Sequence, residues 1–594
     1  MTNLVRTLPH PADFPPPPSD ADRARWAEAD TAARPARLAR LRARLAAEEF
    51  DVLVIGGGVT GCGAALDAAS RGLSVALVEK RDFAAGTSSR SSKLIHGGLR
   101  YLEQFDIGLV REALHERRLL AEKLAPHLVH SMPLLFPLKR GAWDRALMGS
   151  GLLLYDALAG LHPAMPRHRH LTRSGCLRAV PSLREDAVTG GIRYFDAQVD
   201  DARFAVTLAE TATAHGAACA SAVEVAGFLH DGARVAGVRA RDLERGEEFD
   251  IRSRVIVNAT GVWTTAMERL AGVESPLQVR PSKGVHIVVP KSRIDSTLAL
   301  ILPTEKSVLF VLPWSDDWII GTTDTDWQFG LDHPSATRAD IDYLLGHVNE
   351  VLREPLTVDD VTAVYVGLRP LVAKGAKDTA AISREHSVQR SAPGLVSIAG
   401  GKFTTYRIMA RDAVDVAARE LPFGVAPSRT EDIPLLGAVG SAEAPSRARL
   451  HPGAKGLSSV QIRHLVRRYG TLTLRVLDLI AEDPALGSPL AGAETYLAAE
   501  VRHATHFESA LHVDDVLTRR THIAFEVTDR GRVAVEDVAR LMAPDLEWDQ
   551  ADVDREVAHY RARLDAESAA QSMLDDAASD SARSPVRDLR LEAE

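Results

Sequence analysis

Cysteine is scarce in this chain of 594 residues, which has three, at positions 62, 176 and 219. Residues so far apart in sequence do not form a disulfide framework, and their spacing is not that of a metal site. The scarcity is typical of proteins that work in a reducing compartment. Cys62 is expected to be a small packed residue, with a reactive thiolate as the alternative.

Long apolar runs are also missing. No stretch reaches the length of a transmembrane helix, and the most apolar one, Leu147–Leu161, is interrupted by Asp156. This stretch is predicted to be a buried helix, with a segment that dips into one face of a membrane as the alternative. A secretory signal is not expected, because residues 9–18 are rich in proline where an apolar core would be needed.

An excess of positive charge is lacking as well. The chain has 71 basic and 80 acidic residues, a net charge of −9, so nucleic acid is not expected as a partner. Residues 1–49 are interpreted as an N-terminal extension, disordered at first and then forming a short basic helix over Ala36–Glu49. Its leucine stripe among arginines indicates packing on the protein's own surface or on an anionic membrane.

Glycine is abundant where it matters most, in the segment Asp51–Lys80. An apolar strand ends there in Gly56-x-Gly58-x-x-Gly61, a helix with a small-residue face follows, and a second apolar strand ends in Glu79. This is a βαβ unit with a dinucleotide-binding fingerprint. The glycines allow a tight turn, close approach of a pyrophosphate and close helix packing, the helix N-terminus attracts phosphate, and the acid can bind a ribose diol.

The residues after this unit favour FAD over NAD. Thr87–Tyr101 is crowded with hydroxyl groups in a partly buried setting, and buried hydroxyls need partners. Two later apolar strands end in Thr260-Gly261 and in Gly400-Gly401-Lys402. Short strands between them predict a separate antiparallel sheet, and helical patterns dominate beyond residue 420.

Several motifs, in this order, resemble those of the FAD-dependent glycerol-3-phosphate dehydrogenases. They are GGGVTGCG, TSSRSSKLIHGGLRYLE, VNATGVW, KGVHIVVP, FVLPWSDDWIIGTTDTD, GLRPL, GGKFTTYR and FESALHVDDVLTRRTHIAFE. The resemblance extends from about Asp51 to about Glu526. It implies an α/β fold: an FAD-binding Rossmann-like domain of the glutathione-reductase/D-amino-acid-oxidase type, an antiparallel-sheet substrate domain and a C-terminal helical domain. The expected boundaries are 50–419 for the discontinuous FAD domain, about 131–195 and 275–360 for the inserted cap, 420–566 for the helical domain and 567–594 for a flexible tail.

The resemblance also implies a reaction. Non-covalently bound FAD accepts a hydride from sn-glycerol 3-phosphate, dihydroxyacetone phosphate is formed, and the electrons pass to a membrane quinone. The expected location is cytoplasmic, peripherally attached to the cytoplasmic membrane, and a homodimer is an open option. Alternatives are an oxidase that uses O₂ and another FAD-dependent oxidase of the amino-acid or amine oxidase group. An NAD-linked dehydrogenase would not need the Thr87–Lys93 loop, and a flavin protein without turnover would not need the clustered cations.

The family pattern further implies roles for individual residues. It places Arg100, Tyr101, Arg369 and Lys402 around the substrate, and arginine is suited to bidentate phosphate binding. His286 is the preferred catalytic base, with His96 second, because imidazole titrates near working pH; Asp324 either binds substrate or forms a structural turn. The residues expected to bind FAD are Gly56, Gly58, Gly61, Glu79, Thr87, Ser88, Ser92, Lys93, Leu94, Ala259, Gly261, Gly401 and Thr404. No metal is expected, since the C-terminal part lacks an Asp-x-Asp-x-Asp-Gly calcium loop.

Overall fold

The structure is a computed structural model that describes residues 34–98, 106–139, 142–160, 165–274, 277–304, 308–372 and 385–591. Most of the N-terminal extension lies outside these ranges. Two predicted substrate residues, Arg100 and Tyr101, also lie outside the described residues.

Strands and helices are numbered along the chain. The strands are β1 Glu49–Ile55, β2 Val75–Val78, β3 Leu94–Ile95, β4 Val129–Leu138, β5 Arg169–Thr172, β6 Gly190–Val199, β7 Ala218–Ala220, β8 Val223–Asp231, β9 Arg234–Asp242, β10 Glu248–Asn258, β11 Val279–Pro290, β12 Ala299–Pro303, β13 Val308–Trp314, β14 Asp317–Gly321, β15 Thr325–Asp326, β16 Ala363–Val372, β17 His386–Ala392, β18 Leu395–Gly400, β19 Pro489–Leu490 and β20 Ala493–Leu497. The α-helices are α1 Arg34–Ala47, α2 Val59–Ser70, α3 Ile107–Leu119, α4 Ala142–Ala159, α5 Arg173–Ala179, α6 Asp201–Ala214, α7 Thr264–Leu270, α8 Arg338–Asn349, α9 Tyr406–Ala418, α10 Ala444–Leu450, α11 Ser459–Tyr469, α12 Thr473–Glu482, α13 Ala498–Phe507, α14 Val513–Asp515, α15 Ile523–Glu526, α16 Ala534–Leu546, α17 Gln550–Gln571 and α18 Asp576–Arg583.

The first sheet is the nucleotide-binding sheet that the fingerprint predicts. Its parallel strands run in the order β18-β10-β1-β2-β7, with β17 antiparallel at one edge and β8 and β9 attached through β10. Helix α2 packs on one face between α6 and α9, and the small residues of its sequence allow that close packing. Because parallel strands present their carboxyl ends at one edge, the loops after β1, β2, β10 and β18 meet there.

The second sheet forms the cap and is mostly antiparallel. Its strand order is β15-β11-β14-β13-β12-β4-β6-β3, with β16 paired to β11 and β5 to β6; β12 and β4 are the parallel pair. It is therefore built from residues 94–95, 129–199 and 279–372, whereas the sequence predicts about 131–195 and 275–360. The register between β11 and β16 places His286 opposite Tyr365 and Ser282 opposite Arg369.

The C-terminal domain is helical and contains the hairpin β19–β20, with a core formed by α13, α16 and α17. Its last part differs from the flexible tail that the polar composition of residues 567–594 predicts. Helix α17 continues to Gln571 and α18 follows, with Ser579 and Arg583 buried. The Ser579 hydroxyl contacts Ser335 at 2.8 Å in the cap, so polar side chains of the tail find partners in the protein.

Two amphipathic helices have different surroundings. Helix α1 packs its leucine stripe on the first sheet, where Leu45 is buried and Arg42 pairs with Asp242. The protein's own surface, rather than a membrane, therefore covers α1. Helix α4 instead leaves Leu147, Leu153 and Leu154 exposed. Among the described residues, no helix is both long and apolar enough to cross a membrane.

Candidate active site

A cavity of about 760 Å³ lies where the carboxyl ends of the parallel strands face the cap sheet. A volume of this size is in the range of cofactor and ligand pockets. Its lining brings together most of the predicted site residues: Gly56, Gly58, Glu79, Thr87, Ser88, Ser92, Leu94, His96, Ala259, Gly261, His286, Arg369, Gly401, Lys402 and Thr404. Three of the described predicted residues, Gly61, Lys93 and Asp324, do not line it.

The glycine turn after β1 forms one end of the cavity. Gly56 has a φ of +106°, and a Cβ atom there would lie 2.8 Å from the carbonyl oxygen of Ala259. Helix α2 begins after Gly58, which has no capping side chain, and the amide of Val59 donates to the Ser88 hydroxyl at 2.9 Å. This end of the cavity therefore presents a helix N-terminus of the kind that binds phosphate.

Gly61 supports this turn without lining the cavity, and its role is the close helix packing expected of the third glycine of the fingerprint. A Cβ atom at Gly61 would lie 1.9 Å from the carbonyl oxygen of Gly56. Only glycine fits there, because the helix passes so close to the strand–helix turn. Its contribution to cofactor binding is therefore the shape of the turn.

Glu79 lies at the end of β2 and ties the glycine turn to the next loop. Its carboxylate accepts hydrogen bonds from the amides of Gly57 at 2.7 Å and Arg81 at 2.9 Å. Burial raises the pKa of Glu79, and the two amide hydrogen bonds oppose that shift. The carboxylate is thus fixed at the cavity wall, where it can accept from a ribose diol.

His286 and Ser92 meet at the far side of the cavity. The Nε2 atom of His286 lies 2.8 Å from the Ser92 hydroxyl, and the imidazole is stacked on Tyr365 with ring centroids 4.7 Å apart and an interplanar angle of 10°. The ring has room because its neighbour is Gly321, where a Cβ atom would lie 2.2 Å from it. Burial is the main cause that lowers the pKa of His286 well below its usual value, and the positive charges of Arg369 and Lys93 add to it. The imidazole is therefore neutral.

Arg369 enters the cavity from β16 and is held by the turn after β14. Its guanidinium donates to the Thr322 hydroxyl at 3.0 Å and to the Thr323 carbonyl at 3.1 Å. Gly284 leaves the space for it, since a Cβ atom there would lie 2.7 Å from Nη2. Asp324 lies behind the guanidinium, with its carboxylate 3.5 Å from Nη1. Asp324 therefore orients Arg369 from outside the cavity lining, and its role in substrate binding stays a prediction.

His96 and Lys402 approach the cavity from two other loops. The Thr404 hydroxyl accepts from the His96 amide at 3.2 Å, which ties the loop after β3 to the turn before α9. Lys402 immediately precedes that turn and lines the cavity. Both residues are thus in the same cavity as His286 and Arg369, and their chemical roles stay predictions.

Lys93 is a predicted FAD-binding residue that does not line the cavity. The structure turns its side chain away from the cavity and buries it completely, with Nζ 2.5 Å from the Asp201 carboxylate, which is also fully buried. Neighbouring residues in a loop point in different directions, so spacing alone does not show which of Ser92 and Lys93 faces a ligand.

Tyr365 is a residue that the sequence reasoning missed. A signal for it exists, because successive side chains of a strand alternate between its two faces. Residues 365, 367 and 369 of β16 therefore share a face, and one of them, Arg369, is already a predicted substrate residue. Gly367 and Arg369 line the cavity, while Tyr365 stacks on the histidine that does.

The residues present fit FAD. The glycine turn and helix N-terminus suit its pyrophosphate, Glu79 suits a ribose, and the same cavity reaches His286, Arg369 and Lys402 beyond them. The two-sheet fold and this site define an FAD-dependent oxidoreductase. FAD is the cofactor of the protein.

Comparisons with known proteins narrow this class. Residues 51–415 match the family model described as FAD dependent oxidoreductase, and residues 428–553 match the C-terminal domain of alpha-glycerophosphate oxidase. The chain is 52% identical over 559 residues to glycerol-3-phosphate dehydrogenase 2 of Mycobacterium tuberculosis, covering 94% of this chain and 95% of that protein. It is 38% identical to the human mitochondrial glycerol-3-phosphate dehydrogenase, covering 87% and 73% of the two chains.

A solved structure agrees with the sequence comparisons. The glycerol-3-phosphate dehydrogenase of Bacillus halodurans, solved with FAD, has a TM-score of 0.73 and 30% identity, covering 89% of this chain and 97% of its own. The chain belongs to the FAD-dependent glycerol-3-phosphate dehydrogenase family. This confirms the family that the sequence motifs indicate.

Proposed function

We propose that the protein oxidises sn-glycerol 3-phosphate to dihydroxyacetone phosphate and passes the electrons to a membrane quinone. The observation that carries the substrate assignment is the guanidinium of Arg369, which lines the cavity together with Lys402 and His286. A phosphate dianion needs such cations, and arginine can bind it through two parallel hydrogen bonds. The names of the relatives support the same substrate.

Bound FAD supplies the hydride acceptor for the carbon-bound hydrogen of the alcohol. The chain must supply a group that takes the hydroxyl proton, and the neutral imidazole of His286 is the proposed base. In the tautomer in which Nε2 donates to Ser92, Nδ1 keeps the lone pair that accepts a proton. Nδ1 has no hydrogen-bond partner among the described residues. His96 is the second candidate for this role.

Substrate binding makes His286 a better base. The positive charge of Arg369 is one cause of its lowered pKa, after burial. A phosphate dianion on Arg369 offsets that charge, and a nearby negative charge favours the protonated imidazole. The proton acceptor is therefore strengthened when the substrate is in place.

The quinone is proposed from the apolar part of the cavity and from helix α4. Apolar side chains of the cap, among them Leu134, Phe136 and Phe310, line one region of the cavity. Met148 of α4 also lines it, while Leu147 and Leu153 of the same helix are exposed. Exposed leucines on one helix suit a membrane surface, and an apolar acceptor dissolved there would reach the cavity beside α4. Peripheral attachment to the cytoplasmic membrane is part of the proposal, and a homodimer stays a prediction.

Flavin reduction without oxygen tests the substrate. Purified protein is mixed anaerobically with glycerol 3-phosphate, and the visible flavin absorbance is followed. We expect rapid bleaching with glycerol 3-phosphate and very slow bleaching with glycerol, which lacks the phosphate. A yellow protein that does not bleach with glycerol 3-phosphate would rule out the proposed substrate.

Reoxidation of the reduced protein tests the acceptor. A soluble quinone analogue should restore the flavin absorbance faster than air-saturated buffer does; the reverse order would identify an oxidase.

Sedimentation with lipid vesicles tests the membrane surface. Leu153→Ser should weaken sedimentation with vesicles that contain anionic lipid. Leu450→Ser is the matched control, since Leu450 is 86% exposed on α10 of the C-terminal domain. Equal binding of both variants would contradict docking through α4.

A further inference from the structure

Lys93 and Asp201 form a buried ion pair directly behind the active site. Both side chains are 0% exposed, and Asp201 also accepts hydrogen bonds from the amide and hydroxyl of Ser91, at 2.9 and 2.6 Å. A charge is removed from water at a high energetic cost, and that cost is offset only when its partners are complete. The position of the Lys93 ammonium is therefore strictly determined by the loop 91–93 and by α6.

Three aromatic rings surround the same ammonium. The Nζ atom lies 5.2 Å from the ring centroid of Trp314, 5.3 Å from that of Phe525 and 5.6 Å from that of Tyr365. These distances are those of cation–π interactions, which are strongest when the cation is desolvated. Trp314 and Tyr365 belong to the cap, Phe525 belongs to the C-terminal domain, and Asp201 belongs to the FAD domain. Lys93 thus joins three domains at one point.

Tyr365 connects this junction to the site. Its ring stacks on the imidazole of His286 and also lies close to the ammonium of Lys93. Its hydroxyl donates to the carbonyl oxygen of Ser91 at 3.1 Å, while the next residue, Ser92, contacts Nε2 of His286. The loop 91–93 therefore holds both the tyrosine and the histidine that stacks on it.

The C-terminal side of the junction is held equally firmly. Glu526 accepts from the indole of Trp314 and from the hydroxyl of Tyr496, each at 2.6 Å. His522 lies 2.8 Å from the carboxylate of Asp200, the residue before α6. Phe525 lies between His522 and Glu526 in sequence, and the contacts of these two residues hold its ring against Lys93.

We propose that Lys93 is a positioning residue, which orients the His286 imidazole through Tyr365 and so couples the C-terminal domain to proton transfer. This rests on the proposed function, in which His286 takes the hydroxyl proton of the substrate. Lys93 touches neither substrate nor cofactor in this role. Replacement of Lys93 should therefore change the rate of the chemical step and not the Kd for the substrate, because substrate binding is assigned to Arg369 and Lys402.

The test uses full-length, FAD-loaded protein and removes both buried charges together. The double variant Lys93→Met/Asp201→Asn leaves no unpaired charge and keeps the approximate size of both side chains. Tyr365→Leu removes the stacked ring, and Tyr365→Phe keeps it. Lys123→Met is the matched control, because Lys123 is a surface lysine paired with Asp432 at 2.6 Å.

Stopped-flow flavin reduction separates the limiting rate from the Kd for glycerol 3-phosphate. We expect the double variant and Tyr365→Leu each to lower the limiting rate at least tenfold, with Kd changed less than twofold. Combined in one chain, they should lower the rate little further, since both break the same connection. Lys123→Met should stay within threefold of the parent, and Tyr365→Phe should lose less than Tyr365→Leu because it keeps the stacked ring. Fully additive losses, or an unchanged rate in the double variant, would overturn the proposal.

Hydrogen–deuterium exchange gives a second readout that needs no turnover. Peptides from β16 and from α15 should exchange faster in the double variant than in Lys123→Met, because Lys93 joins these elements. If the parent protein is not reduced by glycerol 3-phosphate, the proposed function fails and the exchange result alone decides whether Lys93 organises the junction. Unchanged exchange in both peptides would overturn that organising role.

Discussion

Replacement of Arg369 isolates the contribution of substrate phosphate. The guanidinium is held at the cavity by the Thr322 hydroxyl and the Thr323 carbonyl, so the protein itself fixes its orientation. Arg369→Ala removes a bidentate, charge-assisted contact and the positive charge together. A net loss of about 3 kcal/mol is reasonable for such a pair of hydrogen bonds, which corresponds to a roughly 150-fold rise in Kd.

The assay compares two substrates that differ by the phosphate. Anaerobic flavin reduction is measured with glycerol 3-phosphate and with glycerol for the parent, Arg369→Ala and Arg369→Lys. We expect the preference for glycerol 3-phosphate to fall about 150-fold in Arg369→Ala. A smaller loss, about tenfold, is expected in Arg369→Lys, because lysine keeps the charge but lacks the planar fork. The flavin content should match that of the parent in both variants.

Arg338→Ala is the control for this series, since Arg338 is a surface arginine of the cap that pairs with Asp342 at 2.8 Å. It should leave the preference unchanged. The assignment of Arg369 to phosphate is refuted if Arg369→Ala keeps the parent's preference for glycerol 3-phosphate over glycerol. Loss of flavin instead of substrate preference would place Arg369 at the cofactor.

Three further outcomes follow from other parts of the structure. Gly61→Ala should release most of the flavin, measured by the ratio of absorbance at 450 and 280 nm, whereas Gly227→Ala should not, because a Cβ atom meets nothing within 4 Å there. Burial, followed by the negative charge of Glu526, raises the pKa of Asp317 to about 7. Because the folded pKa exceeds the unfolded value, the free energy of unfolding falls as pH rises towards 7. Asp317→Asn should therefore raise the Tm by about 2 °C more at pH 8 than at pH 5. An equal shift at both pH values would contradict this. Asp576→Asn removes one of the two carboxylates paired with Lys283 and should cost about 1–2 kcal/mol, with faster proteolysis near α18; unchanged proteolysis would show that α18 is held by other contacts.

The cofactor end of the site could be predicted from local sequence. The turn at Gly56, the helix after Gly58 and the acid at Glu79 lie within one βαβ unit, and each follows from the spacing of residues that are near in the chain. Such a unit carries its own hydrophobic pattern and turn chemistry. The structure accordingly places these residues together at the cavity wall.

The other end depends on contacts between distant segments. His286 meets Ser92 across 194 residues of sequence, and the stacking of His286 on Tyr365 depends on the register between β11 and β16. A shift of one residue in that register would reverse which side chains face the cavity. Local pattern contains no information on that pairing, so it does not show that Tyr365 stacks on His286 or that Asp324 lies behind Arg369.

The sequence did not predict the surroundings of the polar tail or of the Lys93 side chain, and the reason is the same for both. Polar and charged residues were assigned to solvent or to a ligand, because a buried charge is costly without a partner. Here the partners lie far away in sequence: Asp201 for Lys93, and Lys283 for Asp576. A single sequence shows the charges but not which of them meet.

Buried ion pairs also explain why the C-terminal domain belongs to the cofactor site. Asp82, three residues after Glu79, is completely buried and receives Arg519 at 2.6 Å and Arg520 at 2.7 Å from the C-terminal domain. If that domain were absent, this carboxylate in the loop after Glu79 would lose both of its cationic partners. An uncompensated buried charge is strongly destabilising. The loop after Glu79 therefore depends on the C-terminal helices for the charge balance of Asp82, and we expect the FAD domain and the C-terminal domain to unfold together.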